Sequence, residues 1–256
     1  MNKGLKYSIL LAAVCIVLAT ANLLTGSVSI PAGEVWNILF NGGSDNSAWT
    51  YIIIQSRLPQ TITALLSGAA LATTGLLMQT SFSNPLAGPS ILGINSGAGL
   101  GVALVMLLLG GSLSIGTLQL GGCIAVIAGA LIGAFAVTTV ILMLASKMKS
   151  NVLLLIVGLM VGYLVSAIIS LLSSWSSAEG VQGFVSWGYG NFGGISLQQL
   201  PFYTVIIMAC LLASLTLIKP LNALLLGDNY AENLGVRIKS TRVRLLGITG
   251  IMASMV

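Results

Sequence analysis

The sequence predicts an all-α polytopic membrane protein. Three observations carry this. The chain of 256 residues is 56% hydrophobic and only 6% charged, against about a quarter charged in a soluble domain. Its 10 basic and 5 acidic side chains cannot clothe a water-facing surface. Apolar runs long enough to cross a bilayer recur along the chain, and basic residues gather at alternate ends of those runs. Lipid is then the main solvent, and residues 1–256 read as a single transmembrane domain.

A helix needs roughly 20 apolar residues to cross the hydrocarbon. Such runs lie near 8–24, 59–80, 91–109, 118–145, 152–172 and 200–218. A seventh starts near Leu245 and stops at Val256; too short to span, it reads as a helix cut short. The first run follows Lys3 and Lys6 and is longer than a signal-peptide core, so it is read as a retained helix although Ala19 to Asn22 imitate a cleavage site.

Orientation follows from charge. With Lys3 and Lys6 in the cytoplasm, alternation also places Lys147, Lys149, Lys219, Arg237, Lys239, Arg242 and Arg244 inside, and Arg57 alone outside. Glu34, Asp45 and Glu179 fall outside, as do Trp36, Trp49, Trp175 and Trp187. The tryptophans suit headgroup anchoring, with an outer docking surface as the other reading.

Between the second and third runs stands "SFSNPLAGPSILGINSGAGLG", residues 81–101. The connector is too short to cross a bilayer, so the runs form a hairpin with its tip in the cytoplasm. Pro85 and Pro89 lack an N–H and disfavour helix before them. A plain turn would not require Asn84, Pro85, Leu86, Pro89 and Gly93 together. Small residues recur every four positions: Ala64, Gly68 and Ala72; Gly93, Gly97 and Gly101; Gly121, Ala125, Gly129 and Gly133; Gly158, Gly162, Ser166 and Ser170. Each row makes a smooth stripe for close helix packing. The last continues into Ser173, and Ser166, Ser170 and Ser173 are candidates to line a pathway.

Several chemistries are excluded. Histidine is absent, and Cys15, Cys123 and Cys210 lie in apolar runs without metal-ligand spacing. Gly188 to Gly193 match G-x-G-x-x-G, but no βαβ unit surrounds them and no acid follows at the required distance. No lysine follows a glycine, so there is no phosphate-binding P-loop. No catalytic residue, metal site or cofactor site is expected in the chain, and nucleic acid is not an expected partner. A secondary, ion-coupled transporter remains the alternative reading; it would need a titratable group at mid-membrane, and the spans as drawn hold none.

After Lys219-Pro220 comes "LNALLLGDNYAENLGVRIKSTRVR". Asn229 followed by Glu232 resembles a capping box, and Gly235 is placed to end a short helix over roughly Tyr230 to Leu234. The helix is either a connector or a docking element for a soluble partner.

Residues 57–101, "RLPQTITALLSGAALATTGLLMQTSFSNPLAGPSILGINSGAGLG", resemble the membrane permeases of binding-protein-dependent ABC importers for iron-siderophores, haem and cobalamin, the FecCD-type family. "FVSWGYGNFGG" and "LGDNYAENLGV" are similar to two later motifs of that family. The resemblance implies a type II importer permease fold of ten helices in full length, with about seven here; helices 8–10 and most of helix 7 would be missing. It implies the bacterial inner membrane and a second permease copy, most simply in a homodimer. It also implies two cytoplasmic ATPase subunits holding ATP and Mg, and a periplasmic or lipid-anchored binding protein. The cargo would be a bulky chelate, ferric siderophore first. Gly227, Asp228, Ala231, Glu232, Leu234 and Gly235 would couple to the ATPase, and Arg57 would dock the binding protein. Two departures stand out: Gln60 replaces the second arginine of an Arg-x-Pro-Arg motif, and Ser83 replaces the arginine of Arg-Asn-Pro.

Overall fold

The computed structural model describes residues 3–41, 46–91, 93–110, 112–115, 118–145 and 151–256. Asp45, Lys147 and Lys149, used above for orientation, lie outside the described residues. The helices in chain order are α1 (Lys3–Leu24), α2 (Ala32–Phe40), α3 (Ser47–Ile52), α4 (Leu58–Phe82), α5 (Ile94–Ala103), α6 (Cys123–Ala145), α7 (Asn151–Trp175), α8 (Ala178–Gly188), α9 (Leu200–Leu215), α10 (Ile218–Leu224), α11 (Asp228–Asn233) and α12 (Ile238–Met255). Among the described residues four helical stretches are long and apolar enough to cross a membrane, or five when α9 and α10, bent by 51° at their junction, count as one. The chain divides into two compact units, Met1–Ala69 with Asn191–Ile206, and Ala70–Gly190 with Ile207–Val256.

In the first unit α1 is apolar all round, and Gly4 to Leu18 are exposed throughout. Such a helix is stable only where lipid or another protein surface covers it. The second predicted span was expected to begin at Pro59. Instead α3, a π-helical turn (Ile53–Arg57) and α4 run on as one stretch from Ser47 to Phe82. Pro59 can donate no hydrogen bond to the preceding turn, and the Leu58 amide reaches back five residues to the Ile53 carbonyl. Widening the turn lets the helix pass the proline. α2 turns Val35 and Ile38 inward onto Ile30 and Ile53, with Trp49 packed against them. Trp49 is therefore partly buried at the edge of that cluster, whereas Trp36, at 63% exposure, faces outward and packs on Phe40 at 4.3 Å between ring centres.

The second unit is organised by glycine. The rows on α5 and α6 face each other: a Cβ at Gly97 would lie 2.6 Å from the Gly133 carbonyl oxygen. At Gly101 a Cβ would overlap the Gly129 carbonyl. Small-residue stripes of this kind let two backbones touch. α5 ends in a second π turn, Leu104–Leu108. The expected helix over 118–145 starts only at Cys123. Before it, Ser112–Ile115 and Leu118–Gly121 pair as an antiparallel hairpin, Leu113 opposite Leu120. Gly122 at φ 59° turns the chain from strand into helix. α12 begins at Ile238, earlier than the expected Leu245, and buries Thr241, Leu245, Leu246, Thr249, Gly250 and Met252.

Candidate coupling and transport site

The 81–93 connector is built from consecutive turns. α4 ends with Ser83 in the left-handed region at φ 47°. The Asn84 amide then bonds the Gln79 carbonyl and the Ser83 amide bonds the Thr80 carbonyl, so two of the last carbonyls of α4 are satisfied. Asn84 Oδ1 accepts from the Leu86 amide at 2.9 Å. Two bonds close turns with a proline in second place: Ala87 N–H to the Asn84 carbonyl, with Pro85 inside, and Ile91 N–H to the Gly88 carbonyl, with Pro89 inside. Gly93 at φ 75° then starts α5, and a Cβ there would sit 3.2 Å from the Gly158 carbonyl of α7. Each singled-out residue has a distinct task, and Leu86 at the tip is 73% exposed.

α11 stands on the same unit. Gly227 at φ 102° precedes it, and Asp228 lies in its first turn. A carboxylate there complements the positive end of the helix. The helix begins before Asn229, so the expected capping box does not form; Gly227 takes the cap position without a side-chain bond. Its end is as expected. The Gly235 amide bonds the Glu232 carbonyl at 2.8 Å and the Val236 amide the Ala231 carbonyl at 3.0 Å, with Gly235 at φ 82°. This two-bond closure with a left-handed glycine is a Schellman motif. Ala231 is fully buried and shares one apolar cluster with Ala87, Leu221, Leu224 and Leu245. The outer face carries Asn229, Tyr230, Glu232, Asn233 and Leu234, all exposed.

Sequence reasoning missed one partner of α11. Arg242 on α12 bonds both carboxylate oxygens of Asp228, at 2.9 and 3.3 Å. The two lie 14 positions apart across a turn, so no helical spacing signals the pairing.

Arg57 is buried at 5% exposure and does not present its charge to a docking partner. One guanidinium nitrogen bonds the carbonyls of Leu23 and Leu24 at 2.9 and 3.2 Å, and the other bonds the Val28 carbonyl. It closes the C-terminal end of α1, where carbonyls lack helical partners and a cation opposes the helix dipole. Arg57 lies near the start of the 36-residue helical stretch Ser47–Phe82, ahead of the span read from the sequence at 59–80.

On α7, Ser166 and Ser170 are exposed and Ser173 is half-buried. Ser166 and Ser173 donate to the carbonyls of Gly162 and Ile169 in their own helix. Gly162 approaches Ser96 of α5, and Val165 and Leu172 are buried. α7 thus has a packed side, and a free side bearing Tyr163, Ser166 and Ser170.

Residues 11–256 match the model of the FecCD transport family. The chain is 35% identical over 237 residues to the vitamin B12 import system permease protein BtuC of Salmonella paratyphi A, covering 91% of this chain and 68% of that one. It is 34% identical over 242 residues to the BtuC of Escherichia coli O127:H6, covering 93% and 70%. A solved structure of an inward-facing metal-chelate type ABC transporter superposes with a TM-score of 0.78 at 26% identity, covering 98% of this chain and 74% of that one. The chain belongs to the FecCD transport family.

Proposed function

We propose that this chain is the membrane permease subunit of an ATP-driven importer that carries a bulky metal chelate across the bacterial cytoplasmic membrane. The observation that carries the reading is α11. It is a short helix packed on the apolar cluster through Ala231 with its other face exposed, and its sequence is similar to the family's coupling element. A separate ATPase pair supplies ATP hydrolysis, a binding protein delivers cargo, and a second permease copy completes the pathway. ATPase closure pushes on Tyr230, Asn233 and Leu234. The Asp228–Arg242 pair and the buried Ala231 hand that push to α12 and to the cluster beneath. Ser166, Ser170 and Ser173 on the free side of α7 line the pathway between two copies. The N-terminus, Lys219 and the basic start of α12 lie on the cytoplasmic side.

Ferric siderophore, haem and cobalamin all fit the class; the named relatives are cobalamin permeases. The test is uptake in a deletion strain, complemented by the complete gene, with each chelate in turn. One of the three is expected to depend on the gene and on ATP. Uptake that survives ATP depletion but collapses when the proton gradient is dissipated would support the ion-coupled alternative instead.

A further inference from the structure

The free side of α7, taken under the proposed function as a wall of the pathway, constrains the cargo that can pass it. From Asn151 to Trp175 the helix has no charged residue. Gly158, Val165 and Leu172 are buried on its packed side. Away from them, at helical spacing, stand Met160, Tyr163, Ala167, Ser170 and Ser174, all exposed. Met160 and Tyr163 are 65% and 75% exposed. A charged group beside such a face finds no counter-ion, and an uncompensated charge in a low-dielectric surround is costly.

The hydroxyls have a polarity of their own. Ser166 donates to the Gly162 carbonyl at 3.0 Å, Ser173 to the Ile169 carbonyl at 2.9 Å and Ser174 to the Leu171 carbonyl at 2.7 Å. Their hydrogens are committed to their own helix, so what these oxygens hold out is lone pairs. They accept from N–H groups and repel carboxylate or phenolate oxygens, which can only accept as well. The outer end carries the same sign. Glu179, exposed, lies in the first turn of α8, just beyond Trp175 in the chain. Arg57, the single basic residue placed on the outer side, is buried against carbonyls. The chain also offers a metal no new ligand set. It holds no histidine, and among the described residues no three His, Cys, Asp or Glu come together. Met160 and Tyr163 are of the kinds that ligate haem iron, but haem would bring two propionates to a face without a cation.

We propose that the cargo is a coordinatively saturated chelate, uncharged overall, with amide N–H groups on its rim: a corrinoid or a ferric trihydroxamate peptide. Chelates edged with carboxylates or catecholates are refused at α7. Ser166, Ser173 and Ser174 accept from the rim, while Met160, Tyr163 and Ala167 lie against apolar parts of the chelate. The metal stays enclosed throughout, with no ligand exchanged.

The test measures ATP-dependent uptake by a deletion strain carrying the complete gene. Cyanocobalamin, a neutral ferric trihydroxamate, a trianionic ferric tris-catecholate and haem are supplied at equal concentration. The wild type is expected to take up one or both neutral chelates at least about tenfold faster than either anionic one. Ser170→Arg gives an anionic chelate a cation to pair with and should shift that ratio about tenfold towards it. Ser166→Arg repeats the reading at a second position, and Ser170→Thr should leave the ratio unchanged. The inference is overturned if an anionic chelate is the preferred ATP-dependent cargo, or if the arginine variants, present in the membrane at wild-type level, leave the ratio where it was. Either result leaves the importer reading standing. Uptake of all four chelates without dependence on ATP would overturn that reading and this inference together.

Discussion

Arg57 is a buried cation held by three backbone carbonyls, with no carboxylate among its recorded partners. Removing the guanidinium would strand those carbonyls away from water, at about 1–3 kcal/mol for each buried group left unpaired. Arg57→Gln is therefore expected to lower stability by roughly 2–4 kcal/mol, read as a lower thermal midpoint of the purified protein. Loss of binding-protein affinity without loss of stability would return the residue to a docking role. The Asp228–Arg242 pair makes a different demand. Its side chains are 47% and 21% exposed, so its stabilisation is modest, about 0.5–1 kcal/mol by double-mutant cycle. Under the proposed function its larger effect falls on coupling. Asp228→Asn or Arg242→Gln should lower uptake per ATP hydrolysed while the ATPase stays bound, and the exchange Asp228→Arg with Arg242→Asp should restore part of that ratio. Equal ratios in all four proteins would remove the pair from the coupling path.

At the scale of elements, most of the architecture was legible because hydropathy and small-residue spacing act locally. The rows Gly97, Gly101 and Gly129, Gly133 were readable in the sequence. Their pairing with each other was not, since it joins residues separated by the connector over 111–122. The hairpin before α6 carried a signal in its period-two alternation, Ser112, Leu113, Ser114, Ile115, which a sliding hydropathy window averages away. The start of α3–α4 was hidden by the rule that proline ends a helix, which a π turn circumvents. Asn84, Pro85, Leu86, Pro89 and Gly93 were flagged as too specific for a bare turn, and each holds a defined position in consecutive turns. Gly101→Val should push α5 and α6 apart and cost about 1–3 kcal/mol or more. Gly88→Val, where a Cβ meets nothing within 4 Å, serves as control and should leave the melting temperature nearly unchanged. Equal stability of the two variants would refute direct backbone contact between the helices.

At the scale of the molecule, the α11 segment proposed for coupling was legible as a polar break in an apolar chain, and so were its motif and its closing glycine. Its ion pair with α12 was not, because pairing across a turn has no fixed spacing. The packed and free sides of α7 also emerged only from the fold, since Gly162 and Ser166 lie on one sequence stripe yet differ in what surrounds them. The account requires Leu234, 61% exposed, to meet the ATPase. Leu234→Asp should cut uptake roughly tenfold or more, as truncating a central contact does, with no loss of membrane insertion. The most direct test is a single cysteine at Leu234 in a background lacking Cys15, Cys123 and Cys210, probed in the assembled transporter. The account predicts a cross-link to the ATPase whose yield changes with ATP. Labelling of that cysteine by an impermeant thiol reagent added from the periplasmic side would contradict it.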